Sequence, residues 1–154
     1  GDHRDLHSFP TRRSSDLGLL ALMSLSNCGG NSSQHPVPYI AVDESIYLNS
    51  PSAYDIQFVG GHMTLPTKGY SGIVIYRRSN YGDANDFAVY DMACPNHVND
   101  PCGTLQVDGL YGNCGCDDQQ FLIYDGQALD GVTAWGLRPY RITYQGQSIR
   151  ITGY

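Results

Sequence analysis

"CPNHVNDPCGTLQVDGLYGNCGC", Cys94 to Cys116, gathers four of the chain's five cysteines and one histidine into a single loop-rich stretch. Cys94-x-x-His97 followed by Cys114-x-Cys116 offers four soft or borderline ligands on two short loops, a set that suits zinc or an iron–sulfur centre. The single residue between Cys114 and Cys116 is tight for two ligands of one zinc. Two disulfides are the other use of four cysteines, and spacing does not choose between them.

The segments on either side read as short strands. "GIVIYRR" (Gly72–Arg78) and "FAVYDM" (Phe87–Met92) are continuous runs of β-branched and aromatic residues, as fully buried strands require. The polar "SNYGDAND" between them suits a hairpin loop. Further upstream, "YIAVD", "SIYLN", "IQFVG" and "HMTLP" are shorter candidates, and Asn49 or Ser50 before Pro51 predicts one short helical turn. Downstream come "QFLIYD", "RPYRITY" and "SIRITGY". The stretch "RITYQGQSIRIT" alternates apolar and polar residues about Gln145-Gly146, a hairpin with one wet face. No repeat is visible, and the expectation is an all-β fold, a small antiparallel barrel or sandwich with two cysteine-bearing loops at one end.

Composition agrees. Gly 18 and Tyr 12 favour strands joined by tight turns, and 154 residues are enough for one domain with a core of its own. A net charge of -6 with only 9 Lys+Arg leaves no basic stripe for nucleic acid. No Ser-His-Asp set, phosphate-cradling glycine loop or paired-acid spacing is present, so these motifs point to no enzyme chemistry.

The N-terminal part reads differently. Leu17 to Leu25, "LGLLALMSL", is an apolar run of signal-peptide length, too short to span a bilayer as a helix. It ends in Leu25-Ser26-Asn27-Cys28, which resembles a bacterial lipobox and makes Cys28 the expected lipidation site. Lipidation would anchor the mature chain to a membrane of the cell envelope, on the periplasmic or outer side, where disulfides persist. Asp2 to Leu17 resemble the translation of a sequencing adapter. The expected organisation is therefore 1–28 adapter-like sequence and signal peptide, 29–38 tether, and 39–154 folded domain.

The frame around the cysteines carries a resemblance. "AVYDMACPNH", a gap, "CGCDDQQFLIYDGQALDG" and "WGLRPYRI" together resemble the Rieske 2Fe-2S domain, and most closely the exported Rieske-like lipoproteins of Bacteroidetes-type bacteria. Cys114 lies seven residues before Phe121, Gly126 and Gly131 fall in the following turns, and Leu137 with Tyr140 match the last motif. The resemblance spans roughly Ser45 to Tyr154. It implies a Rieske-like fold, electron transfer to or from a redox partner protein, and a cluster held by two thiolates and two imidazoles. Cys94 and Cys114 take the thiolate positions. Asn96 stands at the first histidine position with His97 one residue late, Asp117 stands at the second, and Asp118-Gln119 replace the Gly-Ser that follows. If a cluster is kept, its ligands are Cys94, His97, Cys114 and Asp117.

The same resemblance implies a Cys102–Cys116 disulfide clamping the two loops, as in some high-potential members. Without a cluster, Cys94 and Cys114 would be near enough to form a second disulfide. Two functions follow from different classes: an electron carrier of the Rieske type, or a cluster-free binding or structural lipoprotein with stapled loops. Zinc on Cys94, His97, Cys114 and Asp117 or Cys116 is a minor third. His62 reads as a surface residue, Trp135 as packing beside the cysteine loops, and Asp117-Asp118 as a solvated turn.

Overall fold

The computed structural model describes residues 34–129, 131 and 133–153. Cys28, the apolar run and the adapter-like stretch lie outside the described residues. Among the described residues nine strands form, all paired antiparallel: β1 Asp43–Tyr47, β2 His62–Leu65, β3 Ile73–Arg77, β4 Phe87–Asp91, β5 Gln106–Asp108, β6 Tyr111–Asn113, β7 Gln120–Leu122, β8 Arg141–Tyr144 and β9 Ser148–Thr152. They make three three-stranded sheets, ordered β1-β9-β8, β2-β3-β4 and β5-β6-β7. The only helical pieces among the described residues are short 3-10 turns. The expected all-β class holds, as a small sandwich of antiparallel sheets.

The middle sheet explains the two continuous apolar runs. Every residue of β3 and β4 is buried, because each face of that sheet meets a separate core. Ile73, Ile75, Phe87 and Val89 point into the first core with Ile149 and Ile151 of β9. Val74, Tyr76, Ala88 and Tyr90 point the other way, onto Leu105, Phe121, Ile123 and Leu137. Strand geometry alternates the side chains, so one apolar run serves both layers. Burying a side chain of the size of Phe87 or Phe121, both fully enclosed, contributes about 1.5–3 kcal/mol. Arg77 ends β3 buried, its guanidinium 4.4 Å from the centre of the Phe87 ring and its Nε donating to Ser79 O at 2.6 Å.

The outer sheet has the wet face expected of it. In β8, Arg141 and Thr143 are exposed while Ile142 and Tyr144 turn inward. β8 and β9 pair from Arg141↔Thr152 to Tyr144↔Ile149, and Gly146 takes φ 76° in the turn, a value that favours glycine. The 3-10 turn Pro51–Ala53, with Ser50 before it and Pro51 first, is the expected helical turn.

Three local expectations change. "IQFVG" is not a strand: Asp55–Gln57 is a second 3-10 turn, Ile56 alone plugs the core, and Phe58 and Val59 are exposed. "YIAVD" and "SIYLN" share one strand, β1, rather than forming two. Inside the cysteine stretch, β5 and β6 pair from Gln106↔Asn113 to Asp108↔Tyr111, where only loop was expected. Packing also reaches back into the expected tether. Val37 is fully buried, and its N–H donates to His35 Nδ1 at 3.2 Å.

Candidate functional site

The first cysteine loop leaves β4 at Asp91, a fully buried carboxylate. It accepts from the backbone of Tyr70 at 2.6 Å, Ser71 at 3.1 Å and Ala93 at 3.0 Å, and from the Tyr140 hydroxyl at 3.0 Å. Burial, then the Asp91 charge and hydrogen bond, push the Tyr140 hydroxyl well above its ordinary pKa, so it stays a donor. Tyr140, matched in the sequence to the family's last motif, therefore helps fix where the first loop begins.

From Cys94 the chain runs through successive turns. His97 N donates to Cys94 O at 3.0 Å, Asp100 N to His97 O at 3.2 Å, and Gly103 N to Asp100 O at 2.9 Å. Cys94 N then donates to Gly103 O at 2.8 Å, closing the loop at its neck. Gly103 is required by close approach: a Cβ there would collide with the His97 carbonyl. The second loop joins β6 to β7. Cys114 N donates to Gln119 O at 2.9 Å, and Gln119 N to Asp117 Oδ1 at 3.1 Å. Gly115 lets the two loops touch, since a Cβ on it would lie 2.6 Å from the Cys102 carbonyl oxygen.

Three links cross between the loops. Cys94 and Cys114 form a disulfide with their Cα atoms 5.9 Å apart, and Cys102 and Cys116 form another at 5.0 Å. The third is ionic: His97 Nε2 meets Asp117 Oδ2 at 2.9 Å. The two disulfides differ in depth. Cys94 and Cys114 belong to the second core, 0% and 5% exposed, whereas Cys102 is exposed and Cys116 half-buried.

His97 has a carboxylate on each ring nitrogen, Asp100 Oδ2 lying 2.8 Å from Nδ1. A carboxylate accepts only, so this arrangement favours the form in which both nitrogens donate, the imidazolium. The hydrogen bond to Asp100, then the one to Asp117, raise its pKa above the ordinary histidine value.

All four residues expected as cluster ligands thus converge, but as two bonded pairs, Cys94 with Cys114 and His97 with Asp117. Asn96, at the first histidine position, accepts instead from the Thr133 hydroxyl at 3.1 Å. Trp135 lies on the same segment and packs edge-on against His35, ring centres 5.2 Å apart, while His35 Nε2 donates to Gly136 O at 2.9 Å. Trp135 is thus a packing residue beside the first loop, as expected. His62 opens β2 and pairs with Tyr76 across the sheet. Asp117-Asp118 is a turn, and its first residue also carries the ionic link.

Asp100 was not singled out in the sequence. Its signal is the i,i+3 spacing from His97 across a loop with turn residues, which suits a reciprocal side-chain contact. The donor atoms of His97, Asp100 and Cys116 all lie within 4.8 Å of one another. A cleft of about 350 Å³ is lined by His97 and Asp100 of this set, with Pro36, Pro95, Asn96 and Asn99. A larger groove, about 630 Å³, lies on the exposed face of the β1-β9-β8 sheet around the Asp43–Arg150 ion pair and shares no residue with the cysteine loops.

The class defined by this architecture is a small all-β antiparallel sandwich with two loops doubly joined by disulfides. No protein-family model matches the chain, and no curated protein matches it. Among solved structures, it is similar to one described as an NADPH nitrite reductase small-subunit oxidoreductase protein. The identity is 12% and the TM-score 0.41, with 70% of this chain and 97% of that one covered.

Proposed function

We propose that the chain is a cluster-free, lipid-anchored domain of Rieske ancestry, exported to the cell envelope, in which the former cluster loops are stapled and the domain serves as a binding or structural module. One observation carries this reading: the two sulfurs that would ligate iron, on Cys94 and Cys114, are bonded to each other inside the core.

The donor set does not fit a Rieske centre. Such a centre takes two thiolates and two imidazoles. Here both thiolates are spent on the disulfide, position 96 offers an amide engaged by Thr133, and the two loops bring a single imidazole, His97, where two are needed. Two disulfides also accord with an oxidising compartment, the compartment that a lipidated Cys28 would reach.

The alternative, a Rieske-type electron carrier serving a redox partner, draws on the convergence of Cys94, His97, Cys114 and Asp117 from two adjacent loops. Expression of the full chain with export, followed by anaerobic purification, separates the two. The stapled module should be colourless and free of iron, with no titratable thiol other than an unlipidated Cys28. A red-brown protein with about two iron per chain and free thiols at Cys94 and Cys114 would overturn the proposal. Loss of membrane association in Cys28→Ala tests the anchor.

A further inference from the structure

The outer disulfide ties up one member of a second donor set, which shares only His97 with the first. We propose that opening Cys102–Cys116 creates a site for a zinc-class divalent cation, with the Cys116 thiolate, His97 and Asp100 as ligands. This goes beyond the stapled-module reading and uses neither Cys94 nor Cys114.

The geometry is close to what zinc takes. Bonds of about 2.0–2.3 Å in a tetrahedral arrangement place ligand atoms roughly 3.3–3.8 Å apart. The three donor atoms already lie within 4.8 Å of one another, and the His97–Asp100 contact at 2.8 Å has only to open by about half an ångström. One sulfur, one nitrogen and one oxygen make a three-ligand set whose fourth position is left to water, the composition of an open zinc site.

The surroundings supply what a ligand set needs. Nδ1 faces Asp100 and takes the metal, while Nε2–H remains on Asp117 at 2.9 Å. A metal-bound histidine whose other ring nitrogen donates to a carboxylate is fixed in both tautomer and orientation. His97 and Asp100 both line an open cleft, so two of the three ligands face solvent there. Backbone turns hold the loop at His97, Asp100 and Gly103, and the buried Cys94–Cys114 disulfide keeps the two loops together when the outer one opens.

The chemistry balances with a dithiol reductant of the thioredoxin class. Its two thiols pass two electrons and two protons to the Cys102–Cys116 bond, the reductant becomes a disulfide, and two protein thiols result. The cation then binds Cys116 Sγ and His97 Nδ1, and the thiol proton and the Nδ1 proton both leave to solvent. Exposure makes the step selective: Cys102 is open to solvent, whereas Cys94 and Cys114 are 0% and 5% exposed.

The test uses the full chain with Co²⁺ as a spectroscopic probe and Zn²⁺ in competition with a chromophoric chelator. Mild dithiol treatment followed by alkylation should label Cys102 and Cys116 and spare Cys94 and Cys114. The unalkylated reduced protein should then take up one Co²⁺, with a thiolate charge-transfer band that the oxidised protein lacks. Cys102→Ser, which leaves Cys116 free, should bind without reductant. Adding Asp100→Asn should weaken it at least tenfold, and the Cys102→Ser/Cys116→Ser pair, which retains Cys28, should not bind. Uptake by the oxidised protein, uptake surviving in that pair, or no uptake by folded, singly reduced wild type would each overturn the proposal. If Cys102→Ser does not fold, the reduced wild type decides alone.

Discussion

His97, on the first cysteine loop, reaches Asp117 on the second, Nε2 to Oδ2 at 2.9 Å, and so adds an ionic link beside the two covalent ones. Its Nδ1 is held by Asp100, so the link is strongest when the ring is charged. The raised pKa sets the sign of the pH effect. Stabilisation is full below the unfolded histidine value of about 6.5 and is lost as pH rises through the higher folded value. Titration of the His97 ring protons by NMR should give a midpoint above the ordinary value, and Asp117→Asn should lower it. Because the pair is half-exposed, its loss should cost under about 1 kcal/mol. A midpoint at or below the free histidine value would contradict the two-carboxylate arrangement.

The two disulfides should contribute unequally. They close segments separated by 20 and 14 residues, for which chain entropy alone gives about 3 kcal/mol each. Cys94 and Cys114 also belong to the second core, so replacing them removes packing as well. Urea unfolding of Cys94→Ala/Cys114→Ala should therefore show the larger loss, and Cys102→Ala/Cys116→Ala should remain close to the entropic figure. Equal losses would mean that the inner pair adds nothing to the core.

How much of this was legible follows from what each residue type encodes. The runs "GIVIYRR" and "FAVYDM" announced buried strands because a sheet with a core on both faces needs apolar residues at every position. "RITYQGQSIRIT" announced a hairpin with one wet face because β8 and β9 cover only one core. "IQFVG" misled, since a single buried Ile56 beside exposed Phe58 and Val59 is as hydrophobic as a strand without alternating as one. β5 and β6 were hidden because three-residue strands carry too little pattern to separate from loop. At the site, the four cysteines showed that two loops meet, but which sulfur pairs with which came only from the resemblance. Asp100 and Asp91 stayed silent: an aspartate in a turn or at a strand end reads the same whether it faces solvent, a histidine or three backbone amides.

Asp91 should be among the costliest carboxylates to remove. Four donors converge on it, from Tyr70, Ser71, Ala93 and Tyr140, and the bonds from Ala93 and Tyr140 are fully buried. Each stranded buried donor costs about 1–3 kcal/mol, so Asp91→Ala should lose at least about 3 kcal/mol of stability by chemical denaturation. Tyr140→Phe removes one donor and should lose about 1 kcal/mol. Since Ala93 directly precedes Cys94, Asp91→Ala should also slow correct Cys94–Cys114 pairing on oxidative refolding, measurable by peptide mapping. Normal pairing at unchanged stability would remove Asp91 from the account of the loop.

Acid should weaken the fold through a second buried carboxylate. Asp86 has no exposed surface and sits in the β3–β4 connection. Burial alone would raise its pKa. The backbone N–H groups of Tyr81, Gly82 and Asp83 and the Ser79 hydroxyl outweigh burial and hold it down to about 2. Arg77 lies 3.7 Å away, too far to hydrogen-bond but of the right sign. A depressed carboxylate stabilises fully above its unfolded value of about 3.9 and loses that contribution as pH falls toward 2. Wild-type unfolding free energy should therefore decline between about pH 5 and pH 2. Asp86→Asn should start about 2 kcal/mol lower near neutral pH, having lost the charged acceptor, and show a shallower decline. Parallel pH profiles for the two proteins would mean that the proton responsible is taken up elsewhere.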